Sequence, residues 1–177
     1  KGINPVNDAD DTTLLRRIYL DLIGLPPTPG QAEAFNKAAA TNRQEAIAGL
    51  LDELLASPDF GVRWARHWLD IARYSESTGG GRTLLFGEAW RYRDYVVDSF
   101  NSDKPYDRFV REQIAGDLRQ GGTLEERQEA LIATAFLLIG PTNYELQDKT
   151  VLEMDIIDEQ LDTMGKAFLG LAIGCAR

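Results

Sequence analysis

The chain has 177 residues, 44% of them hydrophobic, which suits a single domain with one sizeable core. Its net charge of -9 at pH 7 argues against nucleic acid or an anionic membrane as the main partner, because both require a basic surface. Its longest apolar runs are far shorter than the roughly 20 residues of a membrane span, so we expect no transmembrane segment.

Helix signals dominate the first sixty residues. Apolar residues recur at helical spacing over residues 11–23, and Gly24 and a proline pair follow them, which predicts a first helix there. Thr28 is the predicted N-cap of a second helix, with Pro29 in its first turn. The periodicity resumes over residues 43–56 and predicts a third helix.

The remainder of the chain also reads as helical. A glycine-rich stretch over residues 75–87 predicts a flexible loop that divides the chain into two halves of one bundle. No segment alternates convincingly with period two. The prediction is an all-α fold, an irregular bundle of about seven to eight helices in one domain over residues 1–177. The later predicted helices cover residues 58–74, 88–100, 106–118, 124–138 and about 150–173.

The last predicted helix carries two sets of residues at helical spacing. Its carboxylates suggest either a cation site or a solvated face, and we favour the solvated face because neither an EF-hand loop nor a Glu-x-x-His pair is present. We therefore predict no metal site. The carboxylates are Asp155, Asp158, Glu159 and Asp162, and the predicted inward stripe is Ile157, Leu161, Met164, Phe168 and Leu171.

The fourth predicted helix has a polar face and an apolar face. One interpretation is a surface ladder of charges, with the tryptophans in the core. The other is a functional wall, in which His67 beside Asp70 ligates a metal or haem and nearby arginines pair with carboxylates such as haem propionates. The polar face is Arg63, Arg66, His67, Asp70, Arg73 and Tyr74, and the apolar face is Phe60, Trp64, Trp68 and Ile71.

Arg93 falls on the apolar side of its predicted helix, beside Trp90, Val97 and Phe100. A buried arginine requires a carboxylate partner, so we predict a structural ion pair between helices.

Familiar catalytic patterns are missing, since the sequence has no Gly-x-Ser-x-Gly elbow and a single histidine. The catalytic residues are therefore left unassigned.

Six segments spread along nearly the whole chain resemble a known family. They are LLRRIYLDLIGLPPTP (14–29), RWARHWLDIARY (63–74), WRYRDY (90–95), DKPYD (103–107), AFLGL (167–171) and GCAR (174–177). Together they resemble the planctomycete cytochrome-associated domain of unknown function, which occurs in large secreted multidomain bacterial proteins. The resemblance implies an extracytoplasmic location, periplasmic or secreted, and partners among the other domains of the same polypeptide.

In that family the last segment continues into a further Cys and His, which completes the Cys-x-x-Cys-His pattern for c-type haem. The sole cysteine, Cys175, would be the first position of the pattern, so the resemblance implies that this chain stops within the haem-attachment segment. It also implies haem c in the intact protein and none in this chain. The alternative is that Cys175 is a small buried hydrophobic residue at a helix end.

Two functions follow as expectations. The first is a haem-associated module with a redox or electron-transfer role, in which Cys175, His67, Arg66 and Arg73 are the candidate cofactor-binding residues. The second is a structural or interaction scaffold in extracellular polysaccharide processing, without catalysis of its own. The scaffold would dock neighbouring domains through exposed patches around its tryptophans.

Overall fold

The computed structural model describes residues 8–79 and 83–176, without the side chains of Cys175 and Ala176. Its described residues form seven α-helices with short 3-10 and π segments, which confirms the predicted all-α fold. Extended pairing in the described residues is limited to two isolated bridges. The helices are α1 (Asp11–Leu22), α2 (Pro29–Leu55), α3 (Pro58–Ile71), α4 (Ala89–Asn101), α5 (Tyr106–Ala115), α6 (Leu124–Ala133) and α7 (Lys149–Met164).

Side-chain caps set several helix starts. Thr28 and Gln31 form a capping box at the start of α2, and Thr123 and Glu126 form another at the start of α6. Asn42 leaves the helical region, with φ -149° and ψ 98°, and divides α2 into two helical stretches. Those stretches are the second and third predicted helices, so the predicted break is confirmed.

The chain forms two compact units, Lys1–Trp64 and Ala65–Arg177. The predicted division at residues 75–87 is therefore wrong, since the boundary falls within α3. The described part of that loop is held by bridges from Ser77 to Leu85 and from Gly79 to Thr142. Residues 80–82, in the predicted flexible stretch, lie outside the described residues. The single-domain assignment stays a prediction.

Each unit has its own apolar core. In the first unit, Leu15 and Tyr19 of α1 pack against buried residues from both stretches of α2. The α2 residues are Phe35 and Ala39 before Asn42, and Leu50 and Leu54 after it. In the second unit, the Trp68 ring lies among Phe109, Phe136 and Phe168, with ring centroids 4.8, 5.8 and 5.8 Å away. The predicted apolar face of α3 is correct for Trp68, whereas Trp64 and Ile71 are exposed.

The last helix is shorter than predicted. α7 ends at Met164, and a π-helical turn (Gly165–Leu169) leads to Gly170, whose φ of +64° ends the helix. The chain then folds back, and a Cβ added at Gly165 would lie 2.6 Å from the Ile173 side chain. The predicted helix over residues 150–173 is thus broken by glycines that permit a turn and a close approach.

Candidate functional site

The predicted cofactor residues on α3 lie on an exposed surface. The Arg66 Nε donates to an Asp70 carboxylate oxygen at 3.2 Å, and both side chains are largely exposed. His67 is exposed as well. An exposed ion pair of this kind adds little stability, and the arrangement matches the surface-ladder interpretation of this stretch.

Arg73 lies apart from that ladder because α3 ends at Ile71. Its backbone is in the left-handed region, with φ 58°, and its mostly buried guanidinium pairs with Glu159 of α7 at 2.5 Å. Arg73 also packs against Gly140, where an added Cβ would lie 2.8 Å from its Nη1. The helical spacing that placed Arg73 beside Arg66 and His67 does not apply past the helix end.

Arg66, His67 and Arg73 fit a haem site poorly. A haem requires a largely apolar pocket around its axial ligand, whereas His67 is exposed and the Arg73 guanidinium is held by Glu159. In the residues that the structure describes, no three His, Cys, Asp or Glu side chains are placed to hold a metal ion. Cys175 belongs to a 3-10 segment (Ile173–Ala176), but its side chain lies outside the described residues.

Glu112 of the second unit is only 2% exposed and is surrounded by hydrogen-bond donors. Its Oε1 accepts hydrogen bonds from Arg108 Nε at 2.8 Å and from Arg119 Nη1 at 2.6 Å. Its Oε2 accepts from Lys104 Nζ at 2.8 Å and from the Tyr95 hydroxyl at 2.9 Å. Four donors therefore compensate this carboxylate for its lost hydration.

These donors reach Glu112 from several elements. Arg108 lies one turn earlier on α5, and Arg119 follows the 3-10 turn (Gly116–Leu118) at the end of that helix. Lys104 precedes α5 and places its ammonium 4.4 Å from the centre of the Tyr95 ring, on α4. An added Cβ at Gly116 would collide with the Ala130 carbonyl oxygen of α6, so the turn and α6 are in very close contact.

Burial and charge shift two pKa values in this cluster. Burial alone would raise the pKa of Glu112, but hydrogen bonds from Arg108, Lys104 and Tyr95 outweigh it and hold that pKa below its ordinary value of 4.5. Burial, and then the negative charge of Glu112, raise the pKa of the Tyr95 hydroxyl. Glu112 therefore stays ionised and Tyr95 stays protonated near neutral pH.

A cavity of about 590 Å³ opens beside this cluster. Arg108, Arg111, Glu112 and Arg119 supply its charged lining, and the rest is mostly apolar: Val110, Ile114, Ala115, Gly116 and Leu118. Sequence reasoning missed this site. The available signal was the placement of Glu112 and Gln113 three and four residues after Phe109, on the face that α5 buries.

The outer face of α7 is apolar. Val151, Met154, Ile157 and Leu161 recur at intervals of three or four residues, and each is between 44% and 53% exposed. The predicted inward stripe is therefore wrong for Ile157 and Leu161, and also for Leu171, which is exposed. It is correct for Met164 and Phe168, which pack against the core.

Glu159 and Asp162, two of the carboxylates singled out on α7, form ion pairs that the structure describes. Glu159 pairs with Arg73, and Asp162 pairs with Lys166 at 2.5 Å and accepts a hydrogen bond from the Gly174 amide at 2.8 Å. Asp155 is exposed, as is the neighbouring Glu153. The exposed apolar face of α7 is thus accompanied by negative charge.

Comparison with known families gives a match over residues 1–177 to PSCyt2, described as a protein of unknown function (DUF1549). The chain belongs to the PSCyt2 family. No curated protein and no solved structure matches it. The family description supplies no activity, so the function of this PSCyt2 chain must be argued from its surfaces.

Two further features of the PSCyt2 chain bear on the sequence predictions. Arg93 is exposed and pairs with Asp94 of the same helix at 2.8 Å, so the predicted buried pair between helices is wrong. The side chain has enough reach to carry its charge from the helix flank to solvent. In the described residues, no helix combines the length and apolar character needed to cross a bilayer.

Proposed function

We propose that this PSCyt2 chain is an interaction module that docks onto other domains of its own polypeptide, an extracytoplasmic protein carrying c-type haem. The observation that supports docking is the apolar outer face of α7. Four sizeable apolar side chains stand there on one stripe, each about half exposed. Contiguous apolar surface of this kind marks interaction sites, because leaving it in water is unfavourable.

Charge specifies the chemistry of the partner surface. Residues 145–162 contain seven carboxylates and one lysine, and Glu153 and Asp155 are exposed on α7 itself. A partner that covers the stripe must supply apolar side chains and place lysine or arginine around them. An amphipathic segment with a cationic rim has both properties.

A synthetic amphipathic helix of leucine and lysine serves as the probe, with a leucine–glutamate peptide of the same pattern as its counterpart. We expect saturable binding of the cationic peptide, measured by fluorescence anisotropy. Ile157→Ser should weaken that binding roughly tenfold, because it removes apolar contact area without altering charge. The acidic peptide should bind much more weakly.

Leu131→Ser on α6 is the matched control, since Leu131 is also exposed and lies on a different helix. It should bind the cationic peptide as the unmodified chain does. Equal affinity for both peptides, or an equal effect of the two substitutions, would contradict docking through α7.

The haem part of the proposal rests on the resemblance of the GCAR segment to a haem-attachment sequence. The Gly174 amide donates a hydrogen bond to Asp162, which ties the backbone of that segment to α7. When bound, haem supplies one-electron redox chemistry. The residues of the present chain would hold its attachment segment in place.

The polypeptide encoded by the complete gene, matured by a c-type cytochrome assembly system, should show a haem absorbance spectrum. The two residues after Arg177 should be Cys and His. His67→Ala should leave the spectrum unchanged, because His67 lies on an exposed surface. A colourless product from that expression would refute the haem assignment and leave the docking proposal standing.

A further inference from the structure

We propose that the cavity lined by Arg108, Arg111 and Arg119 binds a small organic carboxylate with an aliphatic body. The cavity volume of about 590 Å³ lies within the range typical of small-molecule sites. Its lining combines guanidinium groups with aliphatic side chains, which is the chemistry that recognises an amphipathic anion. This proposal does not depend on docking through α7.

The charge of the lining favours an anion. Three arginines face one carboxylate among the lining residues, Glu112, and that carboxylate already accepts four hydrogen bonds. Glu126 approaches Arg108 and Arg119 less closely, at 3.4 and 3.6 Å. The lining itself carries a net positive charge, which is offset from outside the lining by Glu126 and by Asp107, the partner of Arg111 at 2.7 Å. A bound carboxylate would share or displace these partners at the guanidinium groups.

The arginines retain donors for a ligand. A guanidinium has five N–H donors, and the described hydrogen bonds use two from Arg108 and one from Arg119. Arg111 is exposed and donates one hydrogen bond to Asp107 at 2.7 Å. Guanidinium geometry matches a carboxylate through paired hydrogen bonds, whereas a lysine provides a point charge.

The site is organised before any ligand arrives. Glu112 anchors Arg108 and Arg119 through bonds of 2.8 and 2.6 Å, which lowers the entropy cost of positioning these side chains for a ligand. The apolar part of the ligand would replace water over Ile114 and Leu118, both of which are exposed at the cavity.

Octanoate is the direct probe, and octanol is the matched uncharged probe with the same chain. Titration followed by amide chemical shifts should show saturable octanoate binding at millimolar concentration or below, with the shifts around α5 and the turn that follows it. Octanol should bind at least about tenfold more weakly, because it lacks the carboxylate that pairs with the guanidinium groups.

Arg111→Gln and Arg119→Gln should each weaken octanoate binding roughly tenfold. Arg91→Gln is the control, since Arg91 is an exposed arginine that pairs with Glu88 and lies outside this cavity lining. Ile157→Ser should bind octanoate normally, which separates this site from the α7 face. Thermal unfolding checks each variant, and if Arg119→Gln does not fold, the exposed Arg111 variant decides the question.

Three results would overturn the proposal. One is the absence of saturable octanoate binding, and another is equal affinity for octanol. The third is unchanged octanoate binding in folded Arg111→Gln.

Discussion

Helices α5 and α7 of the second unit both depart from a simple amphipathic helix, in opposite ways. α5 buries the polar side chains of Glu112 and Gln113, whereas α7 leaves the apolar side chains of Met154 and Ile157 in solvent. The buried Glu112 carboxylate of α5 accepts four hydrogen bonds, so its charge is compensated within the unit. The apolar face of α7 has no such compensation in solvent, and for that reason we interpret it as a docking surface.

The largest expected effect on stability comes from removing the buried Glu112 carboxylate. Glu112→Ala should lower the free energy of unfolding by about 3–5 kcal/mol, because it leaves a cluster of buried or half-buried cations without its central partner. Denaturant titration measures the change. Glu153→Ala on α7, an exposed carboxylate, should change stability by less than about 0.5 kcal/mol. Equal losses in both variants would mean that Glu112 has no special structural role.

The two faces of α7 should respond differently to the same substitution. Leu152 is 8% exposed, whereas Ile157 is about half exposed. Leu152→Ser should cost about 2–3 kcal/mol of unfolding free energy through lost burial and an incompletely filled cavity. Ile157→Ser should cost less than about 0.5 kcal/mol. A large stability loss from Ile157→Ser would show that this face packs inside the chain and would remove the argument for docking.

The dependence of stability on pH gives a smaller, graded test of the Glu112 cluster on α5. Because the pKa of Glu112 is lowered on folding, its contribution is complete above the unfolded value of 4.5 and is lost as pH falls through the folded pKa. Below pH 4.5, Glu112 adds at most about 1.4 kcal/mol per pH unit to the slope of stability against pH. Glu112→Gln should therefore have a shallower slope in that range. An identical slope would contradict the lowered pKa.

Local features of the fold could be predicted from the sequence. The Thr28 cap, the break near Asn42 and the proline at the start of α3 depend on residues a few positions apart. Helix ends were less predictable. The helical spacing extends past Ile71 to Arg73 although α3 ends at Ile71. Gly170 ends the helical segment after α7 through its positive φ, and the close contact between Gly165 and Ile173 appears only in three dimensions.

The cluster around Glu112 could not be assembled from periodicity. Lys104 and Arg119 lie in the segments on either side of α5, where helical spacing gives no position for a side chain. The orientation of α7 was ambiguous for a different reason. Apolar residues occur on both of its faces, and periodicity alone does not distinguish the predicted stripe through Ile157 and Leu161 from the face that carries the buried Leu152.

Methionine oxidation tests docking through α7 most directly. The chain has two methionines: Met154 on the exposed face, and Met164, which packs against the core and serves as an internal control. In the isolated chain, peroxide should oxidise Met154 much faster than Met164, as followed by mass spectrometry. In the polypeptide encoded by the complete gene, we expect Met154 to be protected several-fold. Equal Met154 oxidation rates in the isolated chain and that polypeptide would contradict the account.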